Sequence, residues 1–363
     1  MKKIGIIAGG VLLLIIVGIF VLQENTKQPE KQMKVGFVMN GSKDDASWGQ
    51  SHYEGMEKAA QNLKLNVIYR ENVTEDEACI SVMEELIEQG CEVIICNSYG
   101  FGKYELEVAE EHPYIYFYHA TGVEEAKNMS TYFGRIYQMR YLCGIVAGLQ
   151  TRTNEIGYVA AYPISEVNRG INAFALGVRS VNPDAKVYVE WSNSWIDDDS
   201  SREAANSLIS KHNIDVMTVH SDSLAVYDVA DENGIWIIGY NIDNSEKYPD
   251  TFLTAAVWNW DKFYEPRLKE CQLGKFQSMH YWEDIRTGVV SLAPFTANVK
   301  PEIGNFVHAR MEALKNGTFD VFWGPIKDNQ GNLRITEGES MSDDVMLNEF
   351  DWYVEGVVAD DKE

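Results

Sequence analysis

The chain has 363 residues, of which 45% are hydrophobic and 12% aromatic, with a formal net charge of -24 at pH 7. This length exceeds what one core usually holds, so two compact lobes are expected. The acidic balance excludes a polyanion partner such as nucleic acid, because no basic face would neutralise phosphates, and the apolar content excludes a disordered chain.

Met1-Lys2-Lys3 precedes an uninterrupted apolar run from Ile4 to Leu22, close to the length of about 20 residues that crosses a hydrocarbon core as a helix. Lysines ahead of it place the N-terminus on the cytoplasmic side. A cleaved signal peptide ends on small residues, whereas here Phe20-Val21-Leu22 runs into Gln23-Glu24. No cysteine stands near this boundary to carry a lipid. The reading is an N-terminal membrane anchor or signal segment with a polar tether over residues 1–33, and a folded body outside the cytoplasmic membrane.

Beyond the tether, strand-like and helix-like segments alternate. Strands are expected at Lys34–Asn40, Asn66–Arg70, Glu92–Asn97 and Tyr114–His119, with helices at Gln50–Leu63 and Glu75–Gly90. A second series follows with helices at Tyr137–Gln150, Val167–Val181, Ser201–His212 and Leu224–Asn233. Its strands are expected at Ile156–Ala161, Lys186–Trp191, Val216–His220 and Ile235–Tyr240. Such alternation implies an α/β fold with mostly parallel sheets covered by helices, in two doubly wound lobes.

In that architecture ligands gather beyond the carboxyl ends of the strands. The stretch Gly41 to Gly55 follows the first strand and opens a helix; Asp45 or Ser47 can cap that helix while Trp48 offers a flat face to a planar ligand. Loops at corresponding places carry Asn97, Tyr99 and Phe101, then Asn193 and Trp195, then Asp222, then Asp243. Trp48, Trp195, Tyr99 and Phe101 are candidate faces; Asp45, Asn97, Asn193, Asp222 and Asp243 are candidate edge readers. Trp258 either lines the cleft or packs beside Trp260.

Five runs carry a resemblance: KVGFVMNGSKDDASWGQSHYEGMEKA, NSYGFGKYELEVAEEHPYIYFYHATG, YFGRIYQMRYLCGIVAG, IGYVAAYPISEVNRGINAFALGVRSVNP and FWGPIKDNQG. They resemble the basic-membrane-protein family of extracytoplasmic solute receptors. The resemblance implies a type I periplasmic-binding-protein fold, two Rossmann-like lobes joined by three hinge crossings. It implies a first lobe over 34–122 plus 244–284 and a second over 123–243 plus 285–363. It also implies a receptor that delivers a purine nucleoside or related compound to an ABC permease, at a membrane to which the N-terminal helix tethers it. Where purine-nucleoside members have Asp-Asp-Lys-Ser-Phe-Asn-Gln, this chain has Asp44-Asp45-Ala46-Ser47-Trp48-Gly49-Gln50. The stacking ring is kept and the Asn is lost. Asn241 stands for the ribose-binding Asp and Trp258 for the Lys. An indole in place of an ammonium trades donors for apolar area, which favours a bare purine base, adenine-like, over a nucleoside. A membrane-tethered purine sensor and a purine nucleoside receptor are the alternatives.

Nothing points to an enzyme, a cofactor or a metal. The histidines show no paired metal spacing, and no nucleophile elbow or phosphate-binding loop is present. Asp197, Asp198 and Asp199 suit a helix entrance. The five cysteines lack metal spacing and suit small buried apolar positions.

Overall fold

The computed structural model describes residues 32–359, so the expected anchor and nearly all of the tether lie outside the described residues. Among the described residues no helix is long and apolar enough to cross a membrane.

In chain order the first series is β1 (Lys34–Val38), α1 (Trp48–Leu63), β2 (Asn66–Arg70), α2 (Ala78–Glu88), β3 (Val93–Cys96), α3 (Gly102–Glu111), β4 (Tyr116–Ala120) and β5 (Met129–Gly134). The second is α4 (Tyr137–Gln150), β6 (Glu155–Ala160), α5 (Ser165–Val181), β7 (Lys186–Trp191), α6 (Asp198–Lys211), β8 (Val216–His220), α7 (Ala225–Glu232), β9 (Trp236–Asn241) and β10 (Phe252–Trp258). The chain ends with α8 (Asp261–Gln272), β11 (His280–Glu283), β12 (Val290–Leu292), α9 (Pro301–Lys315), β13 (Ile326–Lys327), β14 (Leu333–Ile335) and β15 (Val357–Ala359).

Two sheets result. The first has the order β11-β5-β4-β3-β1-β2 and is parallel throughout. The second has the order β12-β10-β9-β8-β6-β7-β15, parallel except for the antiparallel pair β10 and β12. The chain passes from sheet to sheet after β5, after β10 and after β11. These pairings divide the chain differently from the expected boundaries. β5 joins the first sheet, because Met129 pairs with Phe117 of β4. β10 joins the second, because its residues pair in parallel with β9. The first lobe is therefore longer at its first segment and starts its second segment later, at α8.

Alternation along β1 sorts the first lobe's core. Val35 and Phe37 pack with Met56 and Ala59 of α1, whereas Val38 packs with Met83 and Leu86 of α2 and with Val108 of α3. Strands covered on both faces bury nearly every residue, hence the short apolar runs such as VIIC in β3. All five cysteines are buried, and none is bonded to another. Phe101 belongs to the α2/α3 side of this core and is fully buried. The expectation that it faces a ligand is thereby corrected: a single turn over Tyr99–Phe101 leads inward to α3, which starts six residues past β3.

In the second lobe α4 and α5 touch backbone to backbone. A Cβ on Gly144 would lie 2.0 Å from the Phe174 carbonyl oxygen, and one on Gly177 would lie 2.0 Å from that of Tyr141. Neither helix can retreat, since α4 is buried along most of its length. Replacing Gly144 by Val should therefore cost about 1–3 kcal/mol or more of stability, read as a lowered melting temperature, while Gly234→Ala, where a Cβ meets nothing within 4 Å, should cost only the price of its positive φ.

Candidate ligand-binding site

The loop before α1 folds back on the helix it opens. Asp45 does the capping: its carboxylate accepts from the amides of Ser47 at 2.8 Å, Gly49 at 2.7 Å and Gln50 at 2.9 Å. Burial pushes its carboxyl up, against the downward pull of those three amides. With both oxygens so engaged, Asp45 holds the helix start. Gly49 is required by the same fold-back, because a Cβ there would lie 2.1 Å from the Ser42 carbonyl oxygen. No side chain, Asn included, fits at 49 in this loop conformation.

Freed from capping, Ser47 points across to the second lobe. Its Oγ donates to Oδ1 of Asp222 at 2.9 Å and accepts from Nδ2 of Asn241 at 2.8 Å. Asn241 Nδ2 also donates to Asp222 Oδ1 at 2.8 Å, and Asn241 Oδ1 accepts from the indole of Trp258 at 2.9 Å. Asn241 adopts φ 69° to do so, a left-handed conformation that Asn tolerates better than most residues. A third bond between lobes runs from Asn244 Nδ2 to the Ala46 carbonyl at 3.1 Å.

Aromatic rings wall this polar node. Trp48, the first residue of α1 and half-buried, is fixed by its Nε1 donating to the Asn97 carbonyl at 2.9 Å. It stands edge-on to Trp258 at 5.9 Å and to Trp260 at 5.6 Å. Trp258 and Trp260 stack at 4.4 Å. Gly134, ending β5, makes room for that pair: a Cβ there would meet Trp258 at 2.7 Å. Asn97 is fully buried; its Oδ1 accepts from the Asn40 amide at 3.1 Å, while Nδ2 has no protein partner. Such an unspent buried donor suits recognition of a ligand acceptor.

Of the ten residues expected from sequence, Asp45, Trp48, Asn97, Asp222 and Trp258 come together here. Trp195 lies nearby, edge-on to His220 at 6.4 Å, its carbonyl accepting from the Asp222 amide at 2.7 Å. Tyr99 is 64% exposed on the first lobe's rim. Asn193 and Asp243 are exposed, Asn193 at φ 52° and Asp243 turned back to accept from the Ser245 amide at 3.0 Å. Neither joins the node, because both occupy turn positions that point their side chains to solvent. Two residues that sequence reasoning left off the site are central: Ser47, read only as a cap, and Asn241, noted only for its place in the motif. His220 is buried and bonded on both ring nitrogens, to the Tyr158 hydroxyl at 2.9 Å and Glu166 at 3.2 Å; burial, then the charge of Arg140, pushes it down to about 4. Among the described residues one group of metal-type donors occurs, Glu84, Glu111 and His112 on the far side of the first lobe, where His112 already pairs with Glu84 at 2.8 Å.

The carboxyl of Asp222 carries the site's electrostatics. Burial, then the charge of Asp45, pushes it up to about 7, while the Ser47 hydroxyl and the Trp48 amide pull it down. An unfolded Asp titrates near 3.8, so the folded state binds this proton more tightly. The stability it contributes is complete below about pH 4 and is lost as pH rises through 7. Asp222→Asn, neutral throughout, should gain melting temperature relative to wild type progressively between pH 4 and 7 and hold that gain above. A pH-independent difference between the two proteins would contradict this titration.

The sequence model of the Bmp family, described as PnrA-like ABC transporter substrate-binding proteins, matches residues 32–313. A purine-binding protein of Brucella abortus is 35% identical over 335 residues, 92% of this chain and 94% of its own. A putative ABC transporter glucose-binding protein of Haloferax volcanii is 36% identical over 314 residues, 86% of this chain and 77% of its own. Among solved structures, a transcriptional activator of the comK gene from Bacillus halodurans superposes with a TM-score of 0.71 at 24% identity, covering 79% of this chain and 99% of that one.

Proposed function

The chain belongs to the Bmp family of PnrA-like ABC transporter substrate-binding proteins, and on that premise we propose that it binds a free purine base, adenine-like, between its two lobes and presents it to an ABC permease. The observation that carries the reading is the half-buried indole of Trp48, backed edge-on by the buried pair Trp258 and Trp260, beside a polar node with an unspent amide at Asn97. A heteroaromatic ring takes up both parts of such a site: its faces stack, and its edge meets the amide and the Asp222 carboxyl. The purine-binding relative, matched over nearly the full length of both chains, supports the same class.

A base is favoured over a nucleoside by what Asn241 and Trp258 do. They stand where the resemblance puts a ribose-binding Asp and Lys, yet their polar atoms are spent on each other, on Ser47 and on Asp222. Trp258 is only 5% exposed. Ribose hydroxyls would find no free partner there, and leaving them unpaired in a closed cleft is costly. The mechanism is binding without turnover: the lobes close around the ring by bending at the three crossings. A sugar ligand is the second reading, raised by the relative named for glucose.

Calorimetry of the full chain with adenine, hypoxanthine, guanine, xanthine, adenosine, inosine and glucose separates these readings. A base should bind tightest, with nucleosides weaker and glucose silent; tighter nucleosides would overturn the role given to Trp258. Trp48→Ala should weaken the bound base by about 1–3 kcal/mol, a stacking increment, and unchanged affinity in a folded variant would remove Trp48 from the site.

A further inference from the structure

The family match ends at residue 313, but the chain continues and folds back along α5. Asn168 donates to the Phe350 carbonyl at 2.9 Å and accepts from the Tyr353 hydroxyl at 3.1 Å. Asn172 donates to the Trp352 carbonyl at 2.7 Å and accepts from the Val354 amide at 2.9 Å. β15 then adds to the edge of the second sheet beside β7. These bonds fasten the segment to the second lobe.

From that anchorage the segment reaches the places where the chain crosses between lobes. Arg135 directly follows β5; its amide donates to the Glu283 carbonyl at 2.8 Å and its Nε to the Trp282 carbonyl at 3.3 Å, tying the first crossing to the third. The same guanidinium grips Asp343 of the C-terminal segment with both Nη atoms, at 2.7 and 2.6 Å. Arg169 of α5 donates to the Met346 carbonyl. The guanidinium groups of Arg135 and Arg169 lie 5.1 and 4.9 Å from the ring of Trp282, the buried indole at the end of β11. Asp343 is held below the usual carboxylate range: the upward effect of its partial burial is outweighed by the bonds and charge of Arg135.

We propose that residues 316–354 form a hinge clasp, in which Asp343 holds Arg135, and through it the first and third crossings, in the closed setting of the lobes, making Asp343 a positioning residue for ligand affinity although it touches no ligand. A forked guanidinium–carboxylate pair fixes orientation as well as distance, and hinge motion is absorbed by a few residues at such crossings. Asp343 is half exposed, so the pair adds little to folding. A two-state equilibrium between open and closed lobes, poised within a few kcal/mol, still responds to it. The proposal is independent of the ligand's identity.

Single-molecule energy transfer on the full chain tests it without any ligand. Dyes at Lys103→Cys and Asp199→Cys, exposed first-turn positions on opposite lobes, report the opening, since the native cysteines are buried. Asp343→Ala and Arg135→Lys should each raise the open population about two- to fivefold, and Asp343→Glu should restore most of the closed one. Glu355→Ala, which breaks an ion pair with Arg179 at 3.0 Å just past the clasp and away from the crossings, should leave the distribution unchanged. Wild-type distributions in both hinge variants would overturn the clasp, as would an equal shift in Glu355→Ala. Should Asp343→Ala fail to fold, Arg135→Lys against Glu355→Ala decides alone.

Discussion

The arrangement of the cleft depends on one shared oxygen. Oδ1 of Asp222 accepts from Ser47 of one lobe and Asn241 of the other, and a buried carboxyl left without such partners would cost several kcal/mol. Each neighbouring oddity of the backbone serves that requirement. Asp45 takes the helix cap so that Ser47 is released to cross the gap. Ala46 enters the left-handed region at φ 55° just before it, and Asn241 does the same at the end of β9. The loop pays for this in strain and steric freedom, most visibly at Gly49, and the return is a joint made of neutral, directional bonds.

Around the joint the rings do more than offer stacking faces. By excluding water they lower the local dielectric, which strengthens every hydrogen bond inside and raises the cost of a bare charge. That is why Asp222 holds its proton to about 7 while Asp45, only a few residues from Trp48 but surrounded by amides, is shifted up less decisively. The proposed ligand would meet, apart from the Asn97 amide, groups already bonded to one another. Its recognition is an exchange of partners, so it is favoured only where its own donors and acceptors reproduce what it displaces.

Much of the frame is legible in the residues. The first four strands and the alternation of helices fall where period and breakers place them, because strands covered on both faces are short apolar runs and the helices between them are amphipathic. β5 escapes such reading: MSTYFG is buried at every position, so it has neither an alternating pattern nor an aliphatic run. α3, β10 and β11 go unread as elements, and sheet membership escapes too, since only pairing tells which sheet a strand joins. Of the residues read as candidates by type, Trp48, Asn97 and Asp222 lie together at the node, whereas Phe101 is packed in the core and Asn193 and Asp243 lie in solvent. A loop residue's direction is set by one or two backbone torsions that composition does not encode. Ser47 and Asn241 were hidden for a related reason: small polar residues have several ordinary uses, and only the facing lobe selects among them.

The buried thiols have a consequence for where such a chain can mature. Cys79, Cys91 and Cys271 are each pushed up to about 11 and Cys143 to about 12 by burial, so scarcely any thiolate exists to attack a disulfide or an oxidant near neutrality. Cys96 is raised well above the usual thiol value by complete burial. Once its cores have closed, the folded body's thiols are shielded from disulfide exchange and oxidation, whatever the redox poise around it.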